Sequence, residues 1–146
     1  MSKLRFHQLE PLRFPLINRF YKAYYPAGKA KKDEVIWIGE NTKGIQACVR
    51  FKQFADFQLL TGMLVHPDLR SQGQGAALLT ACHAQLSAQP CYCFAFSYLE
   101  SFYQTAGFVT LDDNQLPEAL RTRIIRYRQS GKTLTPMLYD QRSSVN

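Results

Sequence analysis

The stretch that most restricts the fold is Leu64–His83, LVHPDLRSQGQGAALLTACH. An apolar run ends at Val65, Pro67 breaks it, and two glycines, Gly73 and Gly75, precede a helix-like run without a breaker. Glycine costs backbone entropy, so a pair at the mouth of a helix needs a physical reason. A glycine-rich turn between strand and helix is a ready anion site. The first helical amides point outward unsatisfied, and the macrodipole places partial positive charge there.

Three phosphate motifs compete for this stretch. The P-loop needs Gly, four residues and then Gly-Lys-Ser/Thr, and no lysine follows here. The dinucleotide fingerprint Gly-x-Gly-x-x-Gly matches at Gly73 and Gly75 but meets Leu78 at its third position. Arg/Gln-x-x-Gly-x-Gly/Ala after a strand ending in Val-x-Pro fits throughout, with Val65, Pro67, Arg70, Gly73 and Gly75.

The rest of the chain supplies strands and helices in mixed order. KLRFHQLE reads as a short strand, and PLINRFYKAYY as a helix opened by Pro15, with Leu16, Phe20 and Tyr24 on one face. EVIWIGE and GIQACVRFKQF read as a hairpin. In the second strand Ile45, Ala47, Val49 and Phe51 face one way, and Gln46, Cys48, Arg50 and Lys52 the other. FQLLTGMLV is a strand interrupted by Gly62, which marks a bulge or a close backbone approach. Leu78, Leu79, Cys82 and Leu86 predict one helix ending before Pro90. CYCFAFSY, a short helix LESFYQTA capped by Gly107, FVTL, a helix PEALRTRIIRYRQSG and TLTPMLYD follow. Pro136 places the last strand at a sheet edge. These elements predict a mixed α/β sheet in a single domain over 1–146.

At this point the chain resembles the GNAT (Gcn5-related) N-acetyltransferases. Arg70-x-x-Gly73-x-Gly75 is similar to their acetyl-CoA pyrophosphate loop. FYQTAGF, Phe102–Phe108, resembles their Tyr-x-x-x-Gly-Phe signature. The resemblance is close from about Gly44 to Leu111. It implies a mostly antiparallel sheet of six to seven strands flanked by helices, with a V-shaped split between strands four and five. It also implies acetyl transfer from acetyl-CoA, as co-substrate, to a primary amine of a small molecule or peptide, by direct attack in a ternary complex.

The same resemblance assigns roles residue by residue. Arg70, Ser71, Gln72, Gly73, Gln74, Gly75 and Ala76 would hold the pyrophosphate. Met63, Leu64 and Val65 would line the pantetheine arm, and the amide of Leu64 or Val65 would donate to the developing oxyanion. Tyr103 matches the general acid for the departing thiolate; a phenol's reference pKa of about 10 lies near a thiol's of about 8.5. Many relatives carry Asn where this chain has Phe96, and the neighbouring Ser97 is the expected contact to the arm. No carboxylate lies in FQLLTGMLV, so the base for the amine stays open among His66, Asp56, Glu100, Asp68 and an ordered water. A non-catalytic acyl-CoA-binding sensor or partner module is the alternative function.

Charge narrows the partners. The net charge of +7 suits an anionic ligand. The acceptor approach implied by the family runs over Phe20–Lys32 and Asn114–Thr133, with Tyr24, Tyr25, Arg126 and Tyr127. A basic, aromatic rim disfavours a polyamine and suits an amine that also bears a carboxylate or phosphate. Nucleic acid is set aside because no compact basic-aromatic recognition motif is present. No apolar run is long enough to span a bilayer, and the N-terminus lacks a signal peptide's apolar stretch, so a cytoplasmic protein is expected. A homodimer is left open. The four cysteines, Cys48, Cys82, Cys91 and Cys93, are expected to be reduced core thiols without a metal, since Cys-x-Cys is a poor zinc spacing.

Overall fold

The structure is a computed structural model that describes residues 3–140. Seven strands form one sheet: β1 (Arg5–Gln8), β2 (Val35–Asn41), β3 (Gly44–Gln53), β4 (Gln58–Val65), β5 (Cys91–Phe96), β6 (Phe108–Thr110) and β7 (Leu134–Tyr139). Their order is β1-β2-β3-β4-β5-β7-β6. All neighbours are antiparallel except β4 and β5, which are parallel and pair only from Gln58–Leu60 to Cys91–Cys93. Beyond Leu60 and Cys93 the two strands separate into a wedge, the split expected between strands four and five.

Five helices cover the two faces: α1 (Phe14–Tyr24), α2 (Gln74–Ala81), α3 (His83–Ala88), α4 (Glu100–Thr105) and α5 (Glu118–Gln129). On one face, Leu78, Leu79, Leu86 and Tyr103 pack against Val49, Phe51, Leu60, Cys91, Cys93 and Met137. On the other, α1 seats Ile17, Phe20 and Tyr21 against Ile36, Ile38, Cys48 and Leu64. Beside it, α5 seats Leu120 and Ile124 against Leu59 and Leu134. Burying each such large apolar side chain contributes about 1.5–3 kcal/mol. No helix among the described residues is long and apolar enough to cross a membrane.

Two bulges shift the alternation. Gly39 pairs with Ala47 but Glu40 with Ile45, so Gln46 is an extra residue in β3. Ile45 therefore packs with Cys48 on the α1 face, not with Ala47 as strict period two predicts. In β4, Leu64 pairs with Cys48 and Thr61 with Arg50, which leaves one extra residue at Gly62–Met63. Gly62 sits there at φ +66°. Leu59 and Leu64 thereby share the face that carries α1 and α5, although their numbers differ in parity.

Three expectations are corrected. The predicted helix after the glycines is two, broken at Cys82, whose N–H is shared by the carbonyls of Leu78 and Leu79. The inner stripe of α1 is Ile17, Phe20 and Tyr21, while Leu16 and Tyr24 lie at the surface. The third concerns β7, which is internal, with β6 outside it. Leu111 donates to the carbonyl of Pro136 at 2.9 Å. A residue's N–H and C=O point to the same side of a strand, so the missing N–H of Pro136 faces the outer strand. That strand ends at Thr110, so no ladder bond to β5 is lost.

Candidate acyl-transfer cleft

The wedge opens into a cleft of about 1320 Å³. Its floor is the bulged end of β4, Thr61–Val65, faced by Phe94, Ala95 and Phe96 of β5. The backbone phase of β4 follows from one bond: His66 N–H donates to Gln46 O at 2.7 Å. Leu64, two residues back and paired with Cys48, turns the same way, toward β3. Val65 lies between them and turns into the wedge, where its carbonyl accepts from Arg70 Nε at 3.2 Å. Of the two candidate amides, that of Val65 faces the wedge and that of Leu64 faces β3. The Leu64 side chain is buried beneath α1.

The turn Arg70–Gly73 leads directly into α2. Ser71 and Gly73 both have positive φ, 64° and 78°. A β-carbon at Gly73 would meet nothing within 4 Å. Gly73 is thus needed for its left-handed conformation, and the space before the first α2 amides is open. Gly75 has a different reason: a β-carbon there would stand 3.2 Å from the Phe102 ring. Arg70, Ser71, Gly73, Gln74, Gly75 and Ala76 all line the cleft, as do Met63, Leu64 and Val65. Gln72 does not; its amide donates to Asp68 O at 3.2 Å.

Tyr103 on α4 reaches the cleft from below. It is 5% exposed and packs edge-on against Phe102 and Phe108. Burial, with Cys93 beside it, raises its pKa well above the usual phenol value, so it keeps its proton. Ser97 does not line the cleft. The strand has ended at Phe96, and the Ser97 hydroxyl lies against Thr135 Oγ1 at 3.2 Å. Phe96, at the position where relatives carry Asn, lines the cleft and stacks on Tyr98.

The base candidates lie elsewhere. Asp56 is exposed in the turn before β4, and Glu100 accepts from Thr110. His66 and Asp68 line a second cavity of about 760 Å³ on the other side of Tyr24. The Asp68 N–H donates to His66 Nδ1, so neutral His66 carries its proton on Nε2 and donates to Tyr24 Oη at 2.9 Å. No lone pair of His66 faces the cleft in that tautomer.

Residues that sequence reasoning passed over build the outer wall. Arg50 of β3, 8% exposed, donates to Glu34 at 2.9 and 3.0 Å, to Lys29 O at 2.7 Å and to Tyr21 Oη at 3.2 Å. The Tyr21 hydroxyl in turn donates to Gly62 O. A charged residue inside a ten-residue strand, flanked by Val49 and Phe51, was the available signal. Across the cleft stand Lys52, Arg123 and Lys132, with Tyr127, which was expected at the rim; Arg126, also expected there, points outward from α5. Among the described residues no cluster of His, Cys, Asp and Glu is arranged to hold a metal ion.

A strand wedge, a left-handed glycine turn opening a helix and a buried phenol meet in one cleft, the arrangement expected of an acyl-transferase fold. The family model described as Acetyltransferase (GNAT) domain matches residues 32–110, over half of the chain. The chain belongs to the GNAT acetyltransferase domain family. No curated protein matches it. Among solved structures, N-acetylglutamate synthase from Neisseria gonorrhoeae, complexed with coenzyme A and N-acetyl-glutamate, superposes with TM-score 0.72 at 17% identity. That match covers 95% of this chain but 35% of the synthase, so the chain spans about a third of that protein's length. The ribosomal-protein-S18-alanine N-acetyltransferase from Escherichia coli gives TM-score 0.65 at 16% identity, covering 93% of this chain and 92% of that one. Arabidopsis thaliana Naa50, in complex with the bisubstrate analogue CoA-Ac-MVNAL, gives 0.67 at 12%, with 94% and 99% covered. At such identities the likeness is one of fold.

Proposed function

We propose that the chain is a single-domain, acetyl-CoA-dependent N-acetyltransferase acting on a primary amine of a small molecule or peptide in a ternary complex. The observation that carries this is the Gly62 bulge. It takes β4 away from β5 and turns the Val65 amide into a wedge whose mouth is the Arg70–Gly75 turn. The residues fit coenzyme A: the space before Gly73 is open, and the outward amides of the turn and of the α2 N-terminus suit a diphosphate. Bound acetyl-CoA supplies the activated acetyl group and a thiolate leaving group.

The chain's own groups bind the co-substrate and stabilise the developing charges, while the amine enters as its free base and gives up a proton to water. The Ser71–Gly75 amides hold the anionic end, the Arg70 N–H being taken by the Pro67 carbonyl. The Val65 N–H donates to the oxygen on which charge develops, worth about 10²–10³ in rate for one such donor. Tyr103 donates a hydrogen bond to the departing sulfur; burial lifts its pKa further from a thiol's than the reference values implied, so full proton transfer is less favourable than the sequence suggested. Because burial keeps the phenol neutral, its hydrogen bond is available throughout the physiological pH range. The apolar walls at Phe94, Phe96 and Leu99 exclude water from the thioester.

One observation favours the acyl-CoA sensor instead. Among the described residues the only carboxylate lining the cleft is Glu34, and Arg50 holds it. The two functions separate in two measurements. Acetyl-CoA at about one hundred times its Kd should stabilise the fold by roughly 2.7 kcal/mol in a thermal-shift titration. Thiol release with an amine panel then supports the enzyme, and stabilisation without thiol release from any amine supports the sensor. Absence of both refutes both.

A further inference from the structure

The wall of the cleft formed by β3, α5 and the turn before β7 gathers cations without a counter-ion. Seven charged side chains line the cleft, and Glu34 is the one carboxylate among them. Arg50 matches Glu34. Arg70 belongs to the turn at the wedge mouth. Lys31 is exposed on the loop beside Glu34, to whose Oε1 its backbone N–H donates at 2.7 Å. Lys52, Arg123 and Lys132 remain on the opposite wall, and none of the three forms an ion pair among the described residues. They rest on aromatic faces. Lys52 Nζ and Arg123 Cζ lie 5.9 and 5.8 Å from the same ring centroid, that of Phe54, and Lys132 Nζ lies 5.1 Å from that of Tyr127.

Two features set this apart from an ordinary solvated face. Two like charges share one ring, which costs repulsion that no neighbouring carboxylate offsets. The Nε of Arg123 is also buried without a hydrogen-bond partner, while its Nη1 donates to Tyr127 Oη at 3.4 Å. A buried, charged donor left unsatisfied is destabilising unless something enters to accept from it. A planar guanidinium flanked by two ammonium groups is matched by an oxyanion.

We propose that Arg123, with Lys52 and Lys132, binds an anionic group on the acceptor, a carboxylate or phosphate joined to the amine that is acetylated. This rests on the acetyltransferase reading and adds to it the substrate class and the residues that select it. Toward α1, Glu34 pairs with Arg50 and Lys31 is exposed, whereas Lys52, Arg123 and Lys132 gather on the α5 side of the cleft.

The test begins with acetyl-CoA titration. If acetyl-CoA does not bind, or no amine releases thiol, the acetyltransferase reading fails and this inference falls with it. With turnover established, kcat/KM is compared within matched pairs: ω-amino carboxylic acids against their primary amides, and ω-aminoalkyl phosphates against the parent amino alcohols. A preference of about tenfold or more for the anionic member is expected in one set, and that set names the group. Arg123→Gln should cut the preference to near unity while the Kd for acetyl-CoA is unchanged. Lys132→Gln, at an exposed turn, should cut it in part, and carries the test if the Arg123 variant does not fold. Equal rates within both sets, faster turnover of spermidine, or a loss confined to acetyl-CoA affinity overturns the inference.

Discussion

The Tyr21 hydroxyl of α1 donates to the carbonyl oxygen of Gly62, the bulged residue of β4 forty-one positions away. It also accepts from Arg50 Nε, so one phenol ties a helix, a bulge and a buried ion pair together. Burial raises its pKa well above the usual value, and the proton stays in place. The wedge of the candidate site is held open from the far side of the sheet by this bond.

Tyr21→Phe removes that link while keeping the ring in its apolar seat. It leaves Arg50 Nε without its partner and the Gly62 carbonyl with only the long 4.0 Å contact from Cys48 Sγ, so a loss of about 1–3 kcal/mol is expected. Urea unfolding measures it. A midpoint equal to that of the parent would show that the bulge is held by β3 alone.

Gly62→Ala acts on the same point from the backbone. Its φ of +66° is strained for any residue with a β-carbon, at a cost of about 1–3 kcal/mol. The added methyl would also lie 2.6 Å from both Arg50 Nε and Tyr21 Oη. The melting temperature should fall further than for Gly73→Ala, which shares the positive-φ strain but whose β-carbon meets open space. The reverse ranking in a thermal-shift series would move the constraint from the bulge to the turn.

How far this was legible in the sequence depends on the kind of interaction. Turn chemistry carried the most: Val65, Pro67, Gly73 and Gly75 place strand, turn and helix correctly because φ and missing β-carbons are local demands. Gly62 announced the bulge for the same reason. The face of each side chain was less secure, since the bulge at Gln46 moves Ile45 to the opposite layer and only the pairing of β2 with β3 creates it. Pro136 misled because an internal strand tolerates proline wherever its outer neighbour stops, a fact of topology. Arg50, Glu34 and Arg123 were passed over because their roles exist only between elements distant in sequence.

Tyr103→Phe tests the phenol. The hydroxyl is one atom in a site where the ring packs against Phe102 and Phe108, so folding and acetyl-CoA affinity should be retained. Turnover should fall by about 10²-fold or more if the group donates to the thiolate. Parent-like turnover with parent-like affinity would leave Tyr103 a packing residue.

The cysteines should be inert in the native state. Burial pushes the thiols of Cys48, Cys82 and Cys93 up to about 12, and raises that of Cys91 as well. At pH 8 almost no thiolate is present, and all four are buried and unpaired. A disulfide-exchange dye should label none of them in the folded protein and four after denaturation. Rapid labelling of one native thiol would place it at an opening in the fold.

Acid stability should depend on Glu40. Its carboxylate accepts from Arg13 at 2.9 and 2.6 Å and lies 2.6 Å from His7 Nε2. The Arg13 hydrogen bonds, outweighing partial burial, hold its pKa down at about 2 against an ordinary 4.5. A depressed folded-state pKa means the unfolded chain binds the proton first. The stabilisation is therefore complete above about pH 5, and is lost as pH falls from 4.5 toward 2. Glu40→Gln should cost about 1–3 kcal/mol at pH 7, where it uncouples Arg13. The difference between variant and parent should shrink steadily on acidification, as urea midpoints across pH 2–7 would record. A gap that stays constant over that range would assign the loss to packing at the α1–β2 junction, with no part for the charge.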